Sequence, residues 1–127
     1  MIKPDALDHF VLLVRDLDRA VAWYRDVLGV EAEKFKEDRW ALKFGAQKIN
    51  LQVVGRSDPY ALHATPGAGD FCLLTQTPLD LVRAHLAAMN VPIVLGPTER
   101  TGANGPINSV YVRDPDENLV EIANRLY

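Results

Sequence analysis

An imidazole, a carboxamide and two carboxylates occupy matched places in the two halves of this 127-residue chain. His9 heads the apolar run His9-Phe10-Val11-Leu12-Leu13-Val14, and Asp70 heads Asp70-Phe71-Cys72-Leu73-Leu74. Gln52 lies in Asn50-Leu51-Gln52-Val53, and Glu121 in Asn118-Leu119-Val120-Glu121-Ile122. Imidazole nitrogens and carboxylate or amide oxygens coordinate divalent first-row metal ions. The candidate ligands are therefore His9, Gln52, Asp70 and Glu121, and the ion one of Mn, Fe, Ni, Zn or Co. Each residue also has a plainer role. A single strand histidine is usually a structural or surface residue. A Glu on an open antiparallel face usually meets water. Gln52 can satisfy backbone groups, and Asp70 beside Gly69 can shape a turn. The pairing of His9 with Asp70, and of Gln52 with Glu121, is what favours a shared site.

The elements that must position these residues follow from hydrophobic patterning. Residues 7–14 are rich in Val and Leu and read as a strand. Asp16 can cap a helix over 17–28, where Leu17, Ala20, Val21, Tyr24, Val27 and Leu28 share a face and Gly29 ends it. Strands follow over 31–37, 39–44 and 48–54. Residues 55–68 have the Gly, Ser and Pro content of a linker. The second half repeats the order: strand 70–75, helix 79–89 after Pro78, and strands 93–95, 108–113 and 118–124. Thr101-Gly102-Ala103-Asn104-Gly105-Pro106 reads as a turn or mobile loop, and Asp114-Pro115-Asp116-Glu117 as a type I turn.

The expected fold class is α+β, two tandem βαβββ modules forming a cupped mixed sheet. The boundaries are a single domain over 1–127, with module 1 at about 5–55, a linker at 56–68 and module 2 at about 69–127. Alternate strand residues face opposite sides of a sheet. That rule sends His9, Gln52, Asp70 and Glu121 to the face away from the helices, together with Arg39, Lys43, Ser109 and Tyr111. His63 in the linker and His85 in the second helix are expected to face water. Cys72 is expected to pack rather than react, since no histidine is placed beside it.

The bulk numbers remove other classes. Apolar residues are 48% and charged residues 24%, so the chain can build a globular core. The net charge of −3 without a basic block argues against nucleic acid. The one cysteine excludes an internal disulfide and fits a reducing compartment. No apolar run reaches the length of a membrane span, and Met1-Ile2-Lys3-Pro4-Asp5 lacks a signal-peptide core. A cytoplasmic protein with no membrane partner is expected.

Several segments carry a family resemblance. They are Leu7-Asp8-His9-Phe10-Val11, Trp23-Tyr24-Arg25-Asp26-Val27-Leu28-Gly29, and Asp114-Pro115-Asp116 followed by Asn118-Leu119-Val120-Glu121-Ile122. Over nearly its whole length the chain resembles the vicinal oxygen chelate superfamily of glyoxalase, bleomycin-resistance and extradiol dioxygenase proteins. Lys36-Glu37-Asp38-Arg39, Phe44-Gly45-Ala46-Gln47-Lys48 and the stretch from Gly96-Pro97 to Ala103 look like its glyoxalase domain-containing protein 5 subgroup. The resemblance implies metal ligands on the first and last strand of each module. His9 and Glu121 match such positions with conventional residue types, whereas Gln52 and Asp70 depart from the usual ones. It also implies a homodimer, a small-molecule substrate whose adjacent oxygens a metal polarises, and a proton-transfer role for Glu121 as catalytic carboxylate. Arg39, Lys43, Arg100 and Tyr111 are the candidate substrate-binding residues and favour an anionic ligand. Three classes stay open: a metal-dependent lyase, isomerase or dioxygenase; a binding protein of the bleomycin-resistance type; and a scaffold without turnover.

Overall fold

The computed structural model describes residues 1–36, 39–55 and 61–127. The chain divides into two compact units, Met1–Ala68 and Gly69–Tyr127. The first contains β1 (His9–Val14), α1 (Leu17–Leu28), β2 (Glu31–Lys36), β3 (Arg39–Phe44) and β4 (Gln47–Val53). The second contains β5 (Asp70–Leu74), α2 (Leu79–Ala88), β6 (Leu95–Thr101), β7 (Pro106–Arg113) and β8 (Leu119–Arg125). Each unit is a βαβββ module with its own four-stranded mixed sheet, in the orders β1-β4-β3-β2 and β5-β8-β7-β6. In both, the first strand runs parallel to the last and the other pairs are antiparallel. The long connection that a parallel β1–β4 pairing requires is made by α1 followed by β2 and β3.

Helix α1 forms where its apolar period and its end signals agree. The Asp16 carboxylate accepts from the Arg19 amide at 3.0 Å, filling an otherwise unpaired donor of the first turn. Gly29 ends the helix at φ +66°, the left-handed conformation that costs glycine least. The buried stripe Ala20, Val21, Tyr24 and Val27 packs on β2, β3 and β4. Below it lie Leu12, Val14, Leu42, Ile49 and Leu51, all nearly inaccessible. Each large side chain so buried contributes about 1.5–3 kcal/mol. With this face of the sheet committed to the core, period-2 alternation leaves His9, Val11, Asn50, Gln52 and Lys43 on the other.

Helix α2 is capped differently. Pro78 has no capping side chain. The Asn124 amide oxygen, from β8, accepts from the Leu79 amide at 2.8 Å. Its Nδ2 donates to the carbonyls of Thr75 and Thr77 at 2.9 and 2.8 Å. One carboxamide thus joins β8, the end of β5 and the start of α2.

The sixth strand corrects the sequence reading. It runs from Leu95 to Thr101, not 93–95, and includes Gly96 and Pro97. It is the edge of its sheet, where a proline lacking an N–H is tolerated, and its pairing with β7 shifts between Leu95 and Thr98. Gly96 has φ +100°, and a Cβ there would collide with the Ser109 carbonyl. The Gly-Pro pair therefore marks a bulge and a close approach, not a strand end.

Candidate functional site

In the first unit, register decides which polar residues are neighbours. His9 faces Lys48 across the parallel β1–β4 pair, Val11 faces Asn50, and Leu13 faces Gln52. In the second unit Asp70 faces Leu119 and Cys72 faces Glu121. Glu121 is thus the cross-strand partner of the residue two beyond Asp70. The residue in that relation to His9 is Asn50. The expected matching of Gln52 with Glu121 is therefore corrected: Asn50 is the register equivalent of Glu121, and Gln52 lies one pleat further along. A two-residue slip keeps a side chain on the same face, so alternation alone does not detect it. His9 and Gln52 differ by four residues of strand, about 13 Å at the usual rise, whereas His9 and Asn50 differ by about 7 Å.

The first unit's candidate groups differ in environment. The His9 ring is partly exposed, and its Nδ1 lies 2.8 Å from an Asp8 carboxylate oxygen. That contact leaves Nε2 for a ligand, the arrangement in which a carboxylate orients a metal-binding imidazole. Asn50 is 6% exposed, and its Oδ1 is buried with no hydrogen-bond partner. Buried polar atoms are nearly always paired, so this oxygen is an acceptor held in reserve. Lys43 is engaged with Glu33 at 3.2 Å. Lys48 lies 4.4 Å and Arg39 5.5 Å from the centroid of the Phe35 ring. The cations of this face thus have local partners. Glu37 and Asp38, acidic neighbours of Arg39 in the sequence, lie outside the described residues.

The second unit gathers more of the expected residues. Glu121 faces Tyr111 on β7 and Cys72 on β5. The fully buried Ser109 hydroxyl donates to Glu121 Oε2 at 2.6 Å. The Cys72 thiol donates to the same carboxylate. Partial burial pushes that thiol up to about 12, and the adjacent Glu121 charge and hydrogen bond push the same way. Cys72 is therefore a neutral donor rather than a nucleophile. Arg100 Nε donates to the Tyr111 hydroxyl at 3.0 Å, and its guanidinium lies 5.6 Å from the Tyr111 ring centroid. Arg100 is thus bonded to Tyr111, the cross-strand neighbour of Glu121, and Asp70 is exposed at the start of β5. His63 and His85 are both exposed, as expected.

Two parts of this arrangement were missed by sequence reasoning. Ser109 was placed on the right face, but nothing in the sequence showed its bond to Glu121. Asn50 was also on that face, but only register separates it from Gln52. Within either unit, among the described residues, no group of three or more His, Cys, Asp or Glu is placed to hold a metal ion. Each unit offers two candidate donors, His9 with Asn50 and Asp70 with Glu121.

Comparison with known proteins places this geometry in context. The model for the Glyoxalase/Bleomycin resistance protein/Dioxygenase superfamily matches residues 6–122. A virulence protein of Salmonella typhimurium, STM3117, is 48% identical over 120 residues, covering 94% of this chain and 83% of that protein. An integron cassette protein from the mobile metagenome of V. pseudocholerae has a solved structure with TM-score 0.95 and 40% identity, covering 100% of this chain and 99% of that one. A lactoylglutathione lyase from Agrobacterium tumefaciens superposes with TM-score 0.72 at 30% identity, covering 96% and 95%.

Proposed function

Since this chain belongs to the Glyoxalase/Bleomycin resistance protein/Dioxygenase superfamily, we propose that it is a divalent-metal-dependent enzyme acting on a small, oxygenated, anionic substrate. His9 and Glu121 are the principal metal donors and Asp70 a third. The observation that carries this reading is the reserved acceptor: Asn50 holds the register place of Glu121, and its buried Oδ1 lacks a partner. The donor types fit a Mn, Fe, Co, Ni or Zn ion. Among its described residues each unit supplies two of these donors, while such ions take four or more. The residues that would hold it are His9, Asp70 and Glu121, with Asn50 as a neutral oxygen donor. When bound, the ion supplies Lewis-acid polarisation of two adjacent substrate oxygens.

The rest of the chemistry belongs to the side chains. Ser109 and Cys72 donate to Glu121 and fix its carboxylate. Glu121 so held moves the proton between substrate carbons or oxygens. The Tyr111 hydroxyl, which already accepts from Arg100, has its own proton to give to a substrate oxygen. Arg100 is exposed and carries the charge that attracts an anion. Arg39 and Lys43 have the same role in the first unit, weakened for Lys43 by its ion pair with Glu33. The likeness to a lactoylglutathione lyase supports a lyase or isomerase class.

Calorimetric titration with Mn²⁺, Ni²⁺ and Zn²⁺ tests the proposal. Wild type is expected to bind at least one of them, and His9→Ala and Glu121→Ala to bind none. Identical titrations for wild type and both variants would overturn it.

A further inference from the structure

Both modules repeat one device that the proposed chemistry has not used. The residue immediately before Lys48 is Gln47, and the residue immediately before Leu119 is Asn118. Lys48 and Leu119 are the cross-strand partners of His9 and Asp70. Gln47 Nε2 donates to the Leu7 carbonyl at 2.9 Å, on the approach to β1. Asn118 Oδ1 accepts from the Gly69 amide at 2.7 Å, on the approach to β5. Beside each amide a matching backbone bond closes the pair: Lys48 N–H to the Asp8 carbonyl at 3.3 Å, and Leu119 N–H to the Gly69 carbonyl at 2.9 Å. A side-chain amide therefore grips the chain next to each proposed donor, at the same register place, in both units.

The two grips differ in strength. Gln47 is exposed and makes one such bond. Asn118 is 1% exposed and is itself held by Asp114, which is 5% exposed. The Asp114 carboxylate accepts from the Asn118 Nδ2 at 2.7 Å and from the backbone amides of Asp116 and Asn118 at 2.9 Å each. A buried carboxylate satisfied by three donors is stiff, because any shift of one partner leaves another unpaired. The Asp114–Asn118 turn is therefore a rigid clasp that delivers the start of β5.

We infer that Asn118 and Gln47 are positioning residues that set the register of Asp70 against Glu121 and of His9 against Asn50, with the Asn118 clasp rigid and the Gln47 grip loose. The inference rests on the proposed metal reading. It adds that the second unit's donor pair is preorganised, while the first unit's adjusts to the ion. Preorganisation is what converts two donors on adjacent strands into a usable half-site.

The test is a Co²⁺ titration followed by visible absorption, with circular dichroism to verify folding. Amide hydrogen exchange at Leu119 and Lys48 is measured alongside. Asn118→Ala is expected to weaken Co²⁺ binding at least tenfold, alter the Co²⁺ spectrum and speed exchange at Leu119. Gln47→Ala is expected to weaken binding no more than about threefold, and Gln47→Lys, which restores a donor, to recover it. If Asn118→Ala does not fold, the milder Asn118→Ser takes its place, with a smaller shift in the same direction. Wild-type affinity and spectrum in a folded Asn118 variant would overturn the clasp and leave the metal reading standing. A wild-type protein that binds no Co²⁺, or a His9→Ala variant that binds it equally, would overturn both.

Discussion

Cys72 should be a slow thiol despite its exposure, and the reason is Glu121. The residue is exposed, yet its acidity is displaced from 9.0 to about 12, first by partial burial and then by the charge and hydrogen bond of Glu121. That displacement leaves about a thousandfold less thiolate, the attacking species, at pH 8. A more basic thiolate attacks faster, with a Brønsted slope of about 0.4–0.5, which returns about 15–30-fold. The net expectation is labelling by a disulfide reagent about 30–60 times slower than for an ordinary solvated thiol. Glu121→Gln removes the charge but leaves the burial. Labelling should then accelerate severalfold without reaching the solvated rate. The assay is pseudo-first-order reaction with an aromatic disulfide at pH 8, followed by absorbance. Wild-type labelling at the rate of free glutathione, or no acceleration in Glu121→Gln, would refute the Cys72–Glu121 pairing. The same displacement sets a pH dependence. The folded thiol binds its proton more tightly than the unfolded one. Its contribution to stability is therefore full below about pH 9 and lost as pH rises toward about 12.

Two further outcomes follow from single side chains. Asn50→Leu removes a buried oxygen that has no partner. It should raise the melting temperature of metal-free protein, by about 3–6 °C for each kcal/mol of the roughly 1–3 kcal/mol desolvation penalty relieved, while weakening metal binding; calorimetry reads both, and a lower melting temperature would count against the reserved-acceptor reading. Asn124→Ala removes the cap of α2 and both carbonyl contacts, and chemical denaturation should show a loss of about 1–3 kcal/mol.

What the sequence revealed depended on which interactions were local. The βαβββ order and the ends of α1 were legible because Asp16, the apolar stripe and Gly29 act within a few residues of one another. Strand faces were legible because the period of two is local as well. Register was not. Whether Asn50 or Gln52 matches Glu121 depends on how β4 pairs with β1, a long-range alignment that alternation leaves free by two residues. The sixth strand was obscured by Gly96 and Pro97, which signal a break unless an edge position and a bulge are known. The bonds from the Ser109 hydroxyl to Glu121 and from the Gly69 amide to Asn118 join residues distant in sequence, and no local pattern announces them. The grouping of Arg100, Tyr111 and Glu121 was partly visible, since alternation put Tyr111 and Glu121 on one face.

Elemental analysis of untreated, freshly purified protein reads the proposed metal centre at His9 and Glu121 itself. Wild type is expected to carry a stoichiometric Mn, Fe, Co, Ni or Zn content that falls to background in both His9→Ala and Glu121→Ala. Equal metal content in wild type and both variants, or only background metal in a wild type that also fails to take up any of these ions when they are supplied, would contradict it.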